Sequence, residues 1–359
     1  LYGLSLAIFP LFMFLSTPIL GDLSDKFGRK KILLLCLIIS SLSYVIAAVG
    51  IIYGSLLMLF ASRALGGLAA GTQPVATAAI IDFSSPQTKT KNLAWVVFNS
   101  SLGLILGPAL GGITADKNIL SWFSYETPFF VAAGVCFLNA LLLQLFLQEA
   151  SPAKTGVTIH LTKGFTLFMT ALTEQKFRLL SILYFCFLLA WGLYYQTINW
   201  LFLKEFNYSV AKLGLFVSFI GVIFAFGTGM VVRFILRFFS SEINIFTFFI
   251  FTMALANVGA AMSNSELAQW LWVILNAASN VICLTVALSI FSNLVDQKSQ
   301  GWIMGVTGSI GALTWTIGGL IAGPLGYLSI YLPLWIAGSL CFTSFVLMII
   351  YRKTHSNNS

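Results

Sequence analysis

An arginine and several small or polar residues share one face of a long apolar segment, residues 55–81. Arg63, Gly66, Ala70, Gln73 and Thr77 follow one another at spacings of three and four, which places them on one side of an α-helix. A charge inside a membrane is costly and by default functional. We therefore predict that Arg63 and Gln73 line an aqueous cavity. The alternative is an arginine that reaches toward the membrane surface.

Further polar side chains that could bind a small molecule lie at helical spacing within other apolar segments: Asn99, Gln196, Asn199, Asn276 and Asn280. Each could instead satisfy only a neighbouring helix by hydrogen bonding. The aromatic side chains of Tyr194, Tyr195, Trp200 and Trp315 could stack on a lipophilic ligand or simply pack in the core.

Enzymatic chemistry has no candidate residues in this sequence. It contains no nucleotide-binding loop, no catalytic Ser/His/Asp set and no paired carboxylates within an apolar segment. The five cysteines are far apart within apolar segments, without metal-ligand spacing, and are interpreted as buried thiols. We predict neither an enzyme nor a cofactor nor a metal site.

The elements that carry these residues are predicted to be membrane-spanning helices. The chain is 58% apolar and only 8% charged over 359 residues, far from the composition of a soluble domain. Eleven apolar runs have the length that a helix needs to cross a bilayer. They cover residues 4–20, 32–50, 55–81, 93–113, 128–147, 179–202, 210–232, 244–262, 267–294, 302–321 and 329–350. Strand-type alternation is absent, so the fold class is an all-α membrane protein.

The net charge of +8 is distributed between alternate loops rather than collected into a patch for nucleic acid. Basic residues cluster in the loops on one predicted side, which hold Lys26, Arg29, Lys30, Lys31, Lys89, Lys91, Lys154, Lys163, Lys176, Arg178, Arg233, Arg237, Lys298, Arg352 and Lys353. The opposite loops hold little more than Lys117, Lys204 and Lys212. This positive-inside pattern predicts a multi-pass protein of the cell (inner) membrane with a cytoplasmic C-terminus.

Landmarks of the first half recur 208 to 216 residues further along the chain. The glycine and arginine loop 21–29 recurs at 229–237, Asp82 recurs at Asp296, and Gly107-Pro108 recurs at Gly323-Pro324. The repeat predicts two homologous halves of six helices each. The predicted domains are residues 1–147, a cytoplasmic linker at 148–178, a second half at 179–351 and a tail at 352–359. Two helices precede the loop of the second half and one precedes that of the first, so we expect the first helix of a twelve-helix protein to be missing.

The loop Gly21-Asp-Leu-Ser-Asp25-Lys-Phe-Gly28-Arg29-Lys-Lys resembles the signature between helices 2 and 3 of major facilitator superfamily transporters. The likeness to the drug:proton antiporter branch, which includes the tetracycline exporters, extends over most of the chain. It implies a cytoplasmic latch in which Asp25 meets the N-terminus of the helix near Trp302 and Arg29 pairs with Asp82. The alternative is a solvated basic loop.

Two helix signatures extend the resemblance. The segment around Arg63 is similar to the family's helix-4 signature, although Gly66 stands where the family often has glutamine. The small and proline residues of one helix match the helix-5 signature of exporters that work by antiport: Gly103, Gly107, Pro108, Gly111 and Gly112. Small residues on successive turns would let neighbouring helices approach closely.

The resulting hypothesis is a monomeric, proton-driven exporter of a small lipophilic or amphipathic compound that works by alternating access in the lipid bilayer. An importer or facilitator of a metabolite or siderophore on the same fold is the alternative, and a non-transporting receptor or sensor is a third. All eleven acidic residues fall in predicted loops or at helix ends. Because proton coupling needs a carboxylate within the membrane, we expect that carboxylate in the missing first helix, near Arg63.

Overall fold

A computed structural model describes residues 2–85, 88–149, 163–227, 241–296 and 300–356, and these residues contain helices but no strands. The basic residues of the second-half loop, Arg233 and Arg237, lie outside the described residues. The chain divides into two compact units. The N-terminal unit comprises Leu4–Gly164 and Ser209–Leu215, and the C-terminal unit comprises Leu1–Gly3, Phe165–Tyr208 and Phe216–Ser359.

Six helices lie essentially within the N-terminal unit. They are α1 (Tyr2–Phe27), α2 (Arg29–Ile52), α3 (Leu56–Ala70), α4 (Gln73–Asp82), α5 (Lys89–Thr114) and α6 (Thr127–Phe146). The remaining helices are α7 (Lys163–Thr173), α8 (Gln175–Lys204), α9 (Val210–Phe226), α10 (Glu242–Met262), α11 (Glu266–Asn293), α12 (Gln300–Leu328) and α13 (Leu332–Ser356). The predicted linker at 148–178 thus contains α7 and the first residues of α8.

Within the described ranges, nine helical segments are long and apolar enough to cross a membrane. The predicted spans at 93–113 and 210–232 fall on α5 and α9, which are not among the nine. The described part of α9 ends at Phe226 and is a shorter apolar helix, as is the segment Gly164–Thr173. A helical membrane fold is present, and the full count of eleven stays a prediction.

The predicted helix over residues 55–81 is interrupted in the structure, where α3 ends at Ala70 and α4 begins at Gln73. Pro74 explains the interruption, because it has no N–H and its ring would clash with the carbonyl of residue 70 in a continuous helix. The face predicted to run from Arg63 through Gln73 to Thr77 is therefore divided between two helical segments of one apolar span, Leu56–Asp82. Arg63 and Gly66 belong to α3, whereas Gln73 and Thr77 belong to α4.

Corresponding helices of the two units pack in the same pattern. In the N-terminal unit α2 packs on α3 and α6, and in the C-terminal unit α10 packs on α11 and α13. The C-terminal unit has one further central helix, α8, which packs on α12 and α13. In the most apolar 18-residue stretch of α8, 72% of the residues are buried, whereas in the corresponding stretch of α6 only 11% are buried. No described helix covers α5 and α6 as α8 covers α12 and α13.

Candidate functional site

The loop predicted to form a latch is shorter in the structure than the sequence suggested. Helix α1 continues to Phe27, and Gly21 lies inside it with open space where a β-carbon would stand. Gly21 therefore lies within a helix, and the turn between α1 and α2 is confined to Gly28. Gly28 has a φ of 99°, which favours glycine.

A carboxylate that sequence reasoning missed occupies the N-terminus of α2. Glu149 accepts hydrogen bonds from the backbone N–H groups of Arg29 at 2.9 Å and Lys30 at 3.1 Å. A β-carbon on Gly28 would lie 2.5 Å from a Glu149 carboxylate oxygen, so glycine also leaves room for this contact. A carboxylate is favourable at the positive end of a helix. The only signal in the sequence was an acidic residue in the predicted linker.

Arg29 lies between two carboxylates of the N-terminal unit. Its Nε donates to Asp82 at the end of α4, and its guanidinium lies 3.5 Å from Asp25 one turn earlier in the chain. The side chains of Arg29 and Asp82 are only 16% and 20% exposed, so water screens this pair less than a surface pair. The proposed contact of Asp25 with the helix near Trp302 joins different units and stays a prediction.

The glycine motif of α5 makes close contact at one end only. A β-carbon at Gly112 would lie 2.7 Å from the Val210 carbonyl oxygen and 2.9 Å from the Gly214 α-carbon, so α5 and the first turns of α9 touch there. At Gly103, Gly107 and Gly111 a β-carbon would meet nothing within 4 Å. Within the described part of the chain, the predicted close approach of a neighbouring helix is thus present at Gly112. Pro108 lies inside α5 without ending it.

Arg63 lines a cavity of about 170 Å³ within the N-terminal unit. The cavity wall comes from α1, α2, α3 and α6 and from the break before α4, and consists of Phe9, Ser40, Ser43, Tyr44, Ala47, Ser62, Arg63, Gly66, Ala69, Ala70, Thr72, Phe129 and Cys136. Cys136 is only half-buried, which corrects the prediction that all five thiols are buried; the other four are.

The two other polar residues predicted for the cavity in this unit lie outside that wall. Gln73 is exposed at the start of α4, and its backbone carbonyl accepts from the hydroxyl of Thr77 at 2.9 Å. Asn99 is exposed on α5, and its amide donates to the Trp95 carbonyl of the same helix at 2.7 Å. Neither residue is among those that line the cavity together with Arg63.

The four polar candidates of the C-terminal unit have side-chain atoms that are buried and lack hydrogen-bond partners among the described residues. Asn276 and Asn280 lie one turn apart on α11 and are 0% and 2% exposed. Neither polar atom of the Asn276 side chain has a hydrogen-bond partner among the described residues, and the amide nitrogen of Asn280 has none there either. The same holds for the amide oxygen of Gln196 and that of Asn199, whose amide nitrogen donates to the Tyr195 carbonyl.

Such unpaired groups are expensive, at roughly 1–3 kcal/mol for each buried polar atom. Fully buried amides in a native core are normally satisfied by protein, water or ligand. Asn276 and Asn280, one turn apart on α11, are therefore a candidate polar site within the C-terminal unit.

Aromatic rings on three helices of the C-terminal unit form a connected cluster. Trp191 contacts the rings of Tyr194, Tyr195 and Phe224 at centroid distances of 5.4 to 5.9 Å, and Tyr195 contacts Trp315 at 5.7 Å. Three of the four predicted stacking residues thus share one cluster on α8, α9 and α12. Since α8 also carries Gln196 and Asn199, one helix joins the aromatic and amide groups.

The comparisons of this chain with known proteins agree on one family. The model of the Major Facilitator Superfamily matches residues 1–319. The class H tetracycline resistance protein of Pasteurella multocida is 28% identical over 98% of this chain and 87% of its own length. The class B protein of Escherichia coli is 30% identical over a shorter stretch, 51% of this chain and 44% of its own length.

The fold also matches a solved structure. The crystal structure of the human organic anion transporter MFSD10 superimposes with a TM-score of 0.72 and covers 96% of this chain and 83% of its own. The two sequences are 23% identical, so this likeness shows the fold.

Proposed function

This chain belongs to the Major Facilitator Superfamily, a family of multi-pass membrane transporters and not enzymes, and we propose that it exports a small lipophilic or amphipathic compound in exchange for protons. The observation that carries the proposal is the pair of polar sites that its apolar helices contain. One is the Arg63 cavity, and the other is the pair Asn276 and Asn280, whose buried amides have atoms without partners among the described residues. A helix would not retain such groups in a bilayer without something for them to bind.

Export by antiport is supported by two observations. The glycine and proline motif at residues 103–112 resembles the antiporter signature, and a tetracycline resistance protein is similar to the chain over 98% of its length. Alternating access by two units, in a monomer of the cell membrane, agrees with the repeated packing pattern of α2 and α10. The Arg29 and Asp82 pair would act as the cytoplasmic latch of this movement.

Proton coupling requires a titratable group that the described helices do not hold deep within an apolar segment. The acidic residues lie near helix ends or in loops, for example Asp82 at the end of α4 and Glu242 at the start of α10. The counterpart of α8 in the N-terminal unit would cover the open face of α5 and α6. We propose that a further helix lies there and carries the coupling carboxylate.

The experiment is uptake into inverted membrane vesicles from a panel of lipophilic and amphipathic compounds, with and without an imposed pH gradient. Acidification of the lumen should drive uptake of at least one compound several-fold, and a protonophore should abolish the increase. Uptake that equilibrates at the same rate with and without the gradient would contradict proton antiport. It would support the alternative, an importer or facilitator of a metabolite or siderophore.

A further inference from the structure

We propose that Glu149 is a positioning residue of the cytoplasmic latch, because it fixes the first turn of α2 and thereby holds the Arg29 side chain at Asp82. The inference rests on the proposed transport function, in which the Arg29 and Asp82 pair is the latch, and extends it to a residue outside the loop signature. All three residues lie within the N-terminal unit.

The carboxylate of Glu149 is committed to the backbone at the start of α2. One oxygen accepts from the N–H of Arg29 at 2.9 Å, and the other accepts from the N–H of Lys30 at 3.1 Å. The first N–H groups of a helix have no partner within the helix, and a side chain at the N-cap usually supplies one. The N-cap of α2 is Gly28, which has no such side chain. Glu149 therefore supplies, from beyond the end of α6, the cap that α2 lacks.

The end of α6 receives a matching contact from α2. The Lys30 ammonium donates to the Gln144 carbonyl in the last turn of α6 at 2.9 Å. The two helices run antiparallel, since Ser41 further along α2 donates to the carbonyl of Ala133 further back in α6 at 2.9 Å. A carboxylate at the N-terminus of one helix and a cation at the C-terminus of the other both suit the helix dipoles. We call these contacts of Glu149 and Lys30 the end clasp.

Apolar packing beneath the end clasp places α6 against the helix that carries Asp82. Leu143 and Leu147 of α6 pack on a buried cluster to which α2 and α4 contribute Ile32, Leu33, Val75 and Ala79. Asp82 ends α4, one turn after the last of these residues. The segment that carries Glu149 is therefore fixed relative to both partners of the latch.

Glu149 acts on Arg29 through the backbone, whereas Asp25 and Asp82 bind its guanidinium. Loss of the end clasp would leave those two carboxylates in place. It would free the first turn of α2, because helix ends without a cap fray. The Arg29 side chain, only 16% exposed in the structure, would then meet water more often.

Phenylglyoxal reacts with accessible guanidinium groups and so measures how firmly Arg29 is held. The full chain in detergent is labelled, and modification is followed by peptide mass spectrometry, with the exposed Arg352 of the C-terminal unit as internal standard. Glu149→Gln should raise the rate at Arg29 about threefold or more and leave the rate at Arg352 unchanged. The matched control is Glu174→Gln, at an exposed glutamate whose side chain makes no cap contact, and it should change neither rate.

Combination with Asp82→Asn separates positioning from a general structural role. Asp82→Asn removes a partner of the guanidinium directly and should itself raise the rate at Arg29. Because both changes release the same side chain, Glu149→Gln should add little in the Asp82→Asn background. Thermal unfolding verifies that each variant is folded. Glu149→Asp keeps the charge on a shorter side chain and should give a smaller rise, and it carries the test if Glu149→Gln does not fold.

Uptake into inverted vesicles tests the role of this positioning in transport. Glu149→Gln should lower the Vmax of a transported compound about twofold to fivefold, because it weakens the pair that biases the conformational equilibrium. The KM should change less than the Vmax, since no contact with the compound is removed.

Four results would overturn the positioning role: an unchanged rate at Arg29 in folded Glu149→Gln, an equal rise at Arg352, a full additional rise in the Asp82→Asn background, or a normal Vmax in a variant whose Arg29 has been released. The two proposals fail separately. A wild-type protein that takes up no compound contradicts the transport function, while the labelling of Arg29 still decides whether Glu149 positions it. Active uptake with unchanged labelling contradicts the positioning role alone.

Discussion

Charged residues at the start of α2 form a group in which three carboxylates have two different roles. Asp82 and Asp25 neutralise the Arg29 side chain, while Glu149 accepts from backbone N–H groups. The sequence was sufficient to predict the Arg29 and Asp82 pair because the family resemblance indicated both partners. The contact of Glu149 with α2 could not be predicted from the sequence, because it joins residues 120 positions apart and depends on the path of the chain after α6.

Breaking the Arg29 and Asp82 pair should slow transport without preventing membrane insertion. A partly shielded pair is worth about 1 kcal/mol, so its loss should shift a conformational equilibrium about fivefold. Arg29→Asp and Asp82→Arg should each lower the transport rate, and the double variant should recover part of it. Lys31→Asp, at an exposed neighbouring position, serves as the charge-matched control for the arginine change. Normal transport by both single variants would exclude a latch here.

Asn276 should be dispensable for stability but required for transport. Both polar atoms of its buried side chain lack partners among the described residues, so Asn276→Leu should leave thermal stability unchanged or raise it by roughly 1–3 kcal/mol. Uptake should nevertheless fall sharply if the amide binds the transported compound.

The matched control for that change is Gln269→Leu on the same helix. Gln269 is also fully buried, but its amide donates to the Ala260 carbonyl at 2.8 Å and the Ser263 carbonyl at 2.7 Å. Its replacement should lower stability by about 1–3 kcal/mol. A comparable loss of stability in both variants would mean that Asn276 is a structural residue.

Helix ends and breaks are where the sequence was least informative. The runs of apolar residues located the helices, but α1 continues seven residues beyond its predicted end because Gly21 and the charged residues after it are compatible with about two further helical turns. To predict the break between α3 and α4, the effect of Pro74 on the helix has to be given more weight than the otherwise continuous apolar pattern. Composition describes a helix well and its termini poorly.

The contact between α5 and α9 predicts a sharp difference between two glycine substitutions. Gly112→Ala would place a methyl group 2.7 Å from the Val210 carbonyl oxygen and should destabilise the protein by about 1–3 kcal/mol in thermal unfolding. Gly308→Ala on α12 meets nothing within 4 Å and should be neutral or slightly stabilising, because alanine favours a helix. Equal effects would show that this close approach does not contribute to stability.

At the scale of the whole molecule, the internal repeat was visible in the sequence as landmarks at similar spacing, and the equivalent packing of α2 and α10 follows the same pattern. The cavity residues were harder to assign. Arg63 stood out by residue type and lines the cavity, but the polar residues Gln73 and Asn99 do not. Periodicity gives the face of one helix, and only the packing of several helices decides which faces enclose a cavity.

The distribution of basic residues makes a final prediction about topology. Arg352 and Lys353 are exposed near the end of α13, and Arg29, Lys30 and Lys31 begin α2, so both ends should lie on the cytoplasmic side. The connection between α5 and α6, which carries Lys117 as its basic residue, should lie on the other side.

A fluorescent protein fused after Ser359 should therefore fluoresce in intact cells. Cysteines introduced at Ser124 and at Ser85, after α4, should react differently with an impermeant maleimide, the first in intact cells and the second only after permeabilisation. Reaction of both in intact cells would contradict the charge rule for this protein.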